Sequence, residues 1–220
     1  MTQDSGTAEP GSHDFETVSS KTVYSGAILA LRLDQVRMPG GQVVEREVIE
    51  HHGAVAVAAI DDDDNVVLIN QYRHPIGRRL LELPAGLLDL PGEDPLVAAR
   101  RELAEETGLA ARDWAVLVDV ALSPGFTDEA LRVYCASGLY ETDQPEPEFE
   151  EADLEIVRMP VEQAVRAALA GEIVNATAVA GVLALAAARA GNAELRPADA
   201  PWPGMSTSFL RRQAAEKSTG

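Results

Sequence analysis

Between Glu93 and Gly108 the chain reads EDPLVAARRELAEETG, gathering Glu93, Arg101, Glu102, Glu105 and Glu106 into one short stretch. On a helix, Glu102 and Glu106 stand one turn apart on the same side, with Glu105 beside them. Like charges at that spacing destabilise an isolated helix by roughly 0.2–0.5 kcal/mol per pair. A chain that clusters carboxylates this way offsets the repulsion with a cation, and carboxylate oxygens suit a hard one. The plain alternative is a solvated acidic helix face, the usual fate of Glu-rich helices.

The helix that must position these groups is well specified. Asp94 is a good N-cap and Pro95 suits the first helical position, where no backbone N–H is needed. Leu96, Ala99 and Leu103 recur at the spacing of a buried stripe, and Glu102 and Glu106 flank that stripe. Gly108 can take the left-handed conformation that ends a helix. From Glu93 to Leu109 the residues resemble the box of the Nudix hydrolases, G-x5-E-x7-R-E-U-x-E-E-x-G-U with U a bulky aliphatic. The match is complete from Glu93 onward, whereas six residues, not five, separate Gly86 from Glu93.

The resemblance implies an α/β fold over roughly Gly53 to Leu169: the Nudix α/β/α sandwich with a mixed sheet, preceded by an N-terminal antiparallel β-sheet. It implies hydrolysis of a nucleoside diphosphate linked to another moiety. Two or more Mg2+ ions (or Mn2+ in their place) would be held by Glu102, Glu106 and the backbone carbonyl of Ala85, with Glu105 an outer ligand. Gly86, Glu93, Arg101 and Gly108 would be structural, Glu93 pairing with Arg101 to fix the loop onto the helix. The family's general base often comes from a later loop, here Gln144 to Asp153. Glu151 is the first choice, also as a metal ligand, and Glu150 the second.

Substrate recognition is assigned to Arg46, Arg73, Glu82, Ser123, Gly125, Asp128 and Glu129. For Arg46 the competing reading is a merely solvated arginine; for Arg73 it is a structural ion pair. Pro124 falls fifteen residues past Leu109, a spacing that marks relatives resembling ADP-ribose pyrophosphatases, and SPGFTDE looks like their substrate loop. The reaction expected is ADP-ribose to AMP and ribose 5-phosphate. The alternatives are another nucleotide sugar such as GDP-mannose, or a non-catalytic sensor of ADP-ribose. A sensor that is a transcription regulator would normally carry a basic DNA-binding helix, and the sequence offers none. Family members of this kind are usually homodimers that share the N-terminal sheet.

Composition bounds the partners. A net charge of −18, with Lys21 and Lys217 the only lysines, repels nucleic acid and anionic membrane. It also repels phosphorylated substrates, so phosphate chemistry here needs local cations. A single cysteine, Cys135, excludes an internal disulfide and fits a reducing cytoplasm. Residues 1–14 read as a disordered leader without a signal pattern. The apolar run Ala178 to Ala188 is too short to span a bilayer.

Residues 15–50 read as the N-terminal sheet region, with strands over Phe15–Gly26, Ala27–Met38 and Val43–Glu50 and a turn at Pro39-Gly40-Gly41. Residues 51–195 read as the Nudix domain and 196–220 as an extended tail ending in a short helix. Within the domain, Gly53–Ile60 reads as a buried strand paired with Val66–Tyr72 across the polar turn Asp61–Asn65. Ala85 is placed at a turn leading into the box. Further strands cover Trp114–Leu122, Leu131–Ser137 and Leu154–Met159. Helices cover Val161–Ala170 and Ala176–Ala190, the second capped by Asn175. His51 and His52 are adjacent and so face opposite ways on a strand, unable to chelate one ion together.

Overall fold

The computed structural model describes residues 11–144, 153–191 and 194–219. Its first unit is a three-stranded antiparallel sheet of β1 (Thr17–Ser25), β2 (Leu29–Arg37) and β3 (Val43–His51). The turn between β2 and β3 closes where Gly41 takes φ 79°, with its N–H donating to Met38 O. All nine residues of β1 are exposed.

The next strand, β4 (Ala54–Ala59), organises the rest. Its sequence AVAVAA is apolar on both faces, and every residue is buried. Ala54, Ala56 and Ala58 join one hydrophobic cluster, while Val55, Val57 and Ala59 join another. On the second side α1 (Pro95–Thr107) supplies Ala98, Ala99 and Leu103. On the first, α2 (Val161–Ala170) supplies Val161, Ala164 and Ala167, and α3 (Ala176–Arg189) supplies Ala178, Val182 and Leu185. Helix, sheet, helix is the layering the sequence predicts. Fully buried leucines such as Leu103 and Leu185 contribute about 1.5–3 kcal/mol each.

Strand β4 runs parallel to β9 (Ala130–Glu141) on one edge and antiparallel to β7 (Ala85–Leu87) on the other. Beyond β9 lies β8 (Leu109–Ala121), which carries the short β11 (Arg196–Pro197). A second sheet sets β5 (Asn65–Arg73) between β10 (Glu155–Pro160) and β6 (Arg78–Glu82). The C-terminal helix is α4 (Ser208–Thr219).

Two expectations need correction. Strand β5 is not the ladder partner of β4: only Ile60 and Val66 bridge, and β5 pairs with β10 and β6 instead. Both edges of β4 are already taken by β9 and β7, so the polar groups of β5 must be satisfied elsewhere. The intervening turn is polar as expected, with Asp61 Oδ1 accepting from the Asn65 and Asp63 N–H groups at 2.8 and 3.1 Å. Nor does Ala85 sit at a turn. It belongs to β7, paired with Ala56, and the bend lies just before it, where Pro84 O accepts from Val57 N.

Candidate active site

Helix α1 begins as its local signals require. Asp94 accepts from the N–H groups of Leu96 and Val97, Pro95 opens the first turn, and Gly108 ends the helix at φ 67°. The buried stripe of Ala99 and Leu103 turns the adjoining face, with Glu102 and Glu106, inward to 9% and 6% exposure. Buried carboxylates need partners. Glu106 Oε2 accepts from Ala85 N at 2.9 Å. Glu102 lies against Gly86, where a Cβ would come within 1.9 Å of its carboxyl carbon. Only glycine admits the carboxylate there.

Arg101 ties the group together. Its Nε and Nη2 donate to the two oxygens of Glu93 at 3.1 and 3.0 Å. Its Nη1 donates to Glu102 at 2.7 Å and Glu105 at 2.9 Å. The bonds from Glu93, reinforced by the charges of Glu102 and Glu105, push the guanidinium pKa above its ordinary value. The additional residue between Gly86 and Glu93 is taken up in a turn where Glu93 N donates to Leu90 O and Gly92 adopts φ 80°. Glu93 still reaches Arg101.

Ala85 and Gly86, which meet Glu106 and Glu102, line a cleft of about 590 Å³ whose walls also include Arg73, Glu82, His51 and Glu129. Arg73 Nη2 and Glu82 Oε2 are 2.7 Å apart, and the arginine side chain is 43% exposed against 3% for the glutamate. Glu82 thus braces Arg73 from below. Elsewhere in the lining, Glu129 Oε1 lies 3.7 Å from His51 Nδ1. Asn175 and Thr177 also line the cleft, though the sequence marks Asn175 only as a helix cap.

The loop before Glu129 is ordered by its backbone. Ser123 O accepts from the N–H groups of Phe126 and Thr127. Asp128 Oδ1 accepts from His51 N at 3.0 Å, so its carboxylate fastens the loop to β3. Ser123, Gly125 and Asp128 do not line the cleft. Neither does Arg46, which is exposed on β3 with its guanidinium on Glu45 O at 3.3 Å. Glu150 and Glu151 lie outside the described residues.

The donor set fits a hard divalent ion. Glu93, Glu102, Glu105 and Glu106 offer only oxygens, with no thiolate or imidazole among them. Among the described residues no three such groups close around a common point. Arg101 instead supplies the positive charge between Glu102 and Glu105.

Comparison with known proteins agrees with this geometry. Residues 50–179 match the family model described as NUDIX domain, and residues 15–49 match the nucleoside diphosphate sugar hydrolase N-terminal domain. The chain is 56% identical over 202 residues to an ADP-ribose pyrophosphatase of Mycobacterium tuberculosis (strain ATCC 25618 / H37Rv), covering 92% of this chain and 98% of that protein. It is 37% identical over 151 residues to a methanol dehydrogenase activator of Bacillus methanolicus, covering 69% and 81% of the two chains. A crystal structure of an ADP compounds hydrolase superposes with TM-score 0.70 at 24% identity, covering 82% of this chain and 96% of that one, and so shares the fold. With the box, the layers and these matches in place, the chain belongs to the Nudix family, whose chemistry depends on a divalent metal ion.

Proposed function

We propose that the protein hydrolyses the pyrophosphate bond of ADP-ribose, giving AMP and ribose 5-phosphate, with two or more Mg2+ ions bound per site. The observation that carries the chemistry is the pair of buried carboxylates, Glu102 and Glu106, set against Gly86 and Ala85 on the wall of one cleft. The choice of ADP-ribose rests on the likeness to the M. tuberculosis pyrophosphatase.

Glu102, Glu106 and the Ala85 carbonyl are the groups assigned to hold the ions, with Glu105 outside them. Bound Mg2+ supplies charge neutralisation of the phosphate oxygens, where opposite unit charges ~4 Å apart attract by roughly 4 kcal/mol at an effective dielectric of ~20. That local attraction exceeds the diffuse repulsion from a net charge of −18. Arg73, braced by Glu82 and 43% exposed, is positioned to take phosphate oxygens with its guanidinium edge. Glu129 and His51 line the same cleft.

The proton of the attacking water goes to Glu151, or to its neighbour Glu150. Two flanking contacts support a base from this stretch. Gln144 Nε2 donates to Glu105 O at 2.8 Å, and Arg79 of β6 pairs with Asp153. The described residues on either side of the stretch thus contact the end of α1 and β6.

We assign the protein to a homodimer that shares the N-terminal sheet. The exposed apolar residues Phe15, Val18, Val23 and Tyr24, all in or beside β1, support this. No described helix is long and apolar enough to cross a membrane, and the single cysteine supports a cytoplasmic setting.

The test is a competition assay with equal ADP-ribose and GDP-mannose in Mg2+, repeated with a chelator. ADP-ribose should be consumed first and nothing should react once the metal is removed. Prior consumption of GDP-mannose would move the substrate, and tight ADP-ribose binding without products would make the protein a sensor.

A further inference from the structure

The segment after β11, expected as an extended tail, is fastened to the cleft wall. Ser206 is 6% exposed, and its Oγ accepts from Ala130 N at 2.9 Å while donating to Asp128 O. These two backbone groups flank Glu129, the residue that faces the cleft. A side-chain hydroxyl that satisfies the backbone on both sides of one residue fixes the direction of that residue's side chain.

The same segment reaches the wall by a second route. Strand β3 holds the other side of the loop: Ile49 N donates to Phe126 O at 2.7 Å, and Asp128 N donates to Ile49 O at 3.1 Å. Between Ile49 and His51 stands Glu50, 4% exposed. Arg212 of α4 donates to both its oxygens, at 2.6 and 2.8 Å, and Arg32 of β2 donates to one of them. Phe209, fully buried, stacks edge-on against His52 with ring centroids 4.7 Å apart. Upstream, Arg132 of β9 donates to the carbonyls of Ala200 and Pro201 and lies over the Trp202 ring. The strap is anchored before and after Ser206.

We propose that the C-terminal segment from Ala200 to Arg212 is a positioning strap for the substrate-facing wall, and that Ser206 is a positioning residue acting through Glu129. It neither touches the reacting atoms nor holds an ion. Its effect falls on ground-state binding, because Glu129 lines the cleft and is not among the groups assigned to hold the ions. This inference rests on the ADP-ribose reading only for its kinetic readout.

The experiment compares Ser206→Ala and the shape-preserving Ser206→Cys with wild type in the full-length protein. Each variant should raise KM for ADP-ribose by about 5–20-fold, the effect of one or two lost hydrogen bonds, with kcat within about twofold. Amide hydrogen exchange should quicken over Thr127 to Ala130. In a Glu129→Ala background the Ser206 substitutions should raise KM little further, the non-additivity expected of residues acting through one contact. Unchanged KM, a full additional rise in the Glu129→Ala background, or unchanged exchange at Thr127 to Ala130 would each overturn the proposal. If wild type fails to turn over ADP-ribose, the substrate reading fails, while the exchange measurement still decides whether Ser206 orders the wall.

Discussion

Replacing Arg101 with methionine keeps most of the side chain's bulk and removes its charge. Arg101 contacts Glu93, Glu102 and Glu105 at 3.0, 2.7 and 2.9 Å; it is 29% exposed, and the three partners are 10%, 11% and 27% exposed. Exposed pairs of this kind are worth about 0.2–1 kcal/mol each, and breaking a fully buried one costs about 3–5 kcal/mol. This cluster lies between those limits, so Arg101→Met should cost about 2–3 kcal/mol without metal. For a chain of this size each kcal/mol moves Tm by about 2–4 °C, giving a fall of roughly 5–10 °C. Thermal unfolding with a chelator and with saturating Mg2+ checks it. In wild type an entering ion would compete with Arg101 for Glu102, whereas in the variant it would find that carboxylate unneutralised. Mg2+ should therefore raise Tm more in Arg101→Met than in wild type. An unchanged metal-free Tm, or the same Mg2+ increment in both proteins, would refute the idea that Arg101 supplies the cluster's charge.

Three further outcomes are expected. Glu106→Gln keeps the shape and the bond from Ala85 N but loses a charge, so turnover in Mg2+ should fall by at least about 10²-fold while circular dichroism stays native. Gly86→Ala puts a methyl where the Glu102 carboxylate lies; steady-state assays should show turnover falling about 10²-fold or more, as expected when a key charged group is displaced. Burial alone would raise the Glu50 pKa, but hydrogen bonds from Arg212 and Arg32 outweigh it and hold the carboxyl below its ordinary 4.5. A depressed folded pKa means stability that is present above 4.5 and lost as pH falls through the folded value. Glu50→Gln should lower Tm at pH 7 and flatten this acid-side decline, read from melts across the acid range.

Much of α1 was legible because its signals are local: Asp94 and Pro95 start it, Gly108 stops it, and Ala99 and Leu103 set its buried face. The ion pair of Glu93 with Arg101 was expected from the family resemblance alone. Strand partners were not. β4 and β5 are both apolar runs beside a polar turn, and nothing in either shows that β9 arrives in parallel to fill the edge of β4. The extents of β8 and β9 were underestimated, because Leu109–Asp113 and Gly138–Glu141 join the ladder through pairing rather than apolar pattern. β6 and β7 escaped notice because they are short, with charged or glycine-containing sequences. Ser206 was hidden in a tail whose Pro and Gly content reads as extended; the short helix that carries Arg212 was expected, but not what it holds, because the partners lie 76 and 162 residues away. No local signal marked Glu50 either: its alternate row on β3 is Val44, Arg46 and Val48, and the exposed Arg46 makes that row read as a mixed face.

The central claim is that water breaks the bond between two phosphates, and turnover of ADP-ribose in oxygen-18 water with Mg2+ tests it most directly. Mass spectrometry of the products should find AMP and ribose 5-phosphate, with one heavy oxygen per turnover on a phosphate and none on the oxygen of ribose C5. ADP with free ribose, label in the C5 oxygen, or no turnover at all would contradict it.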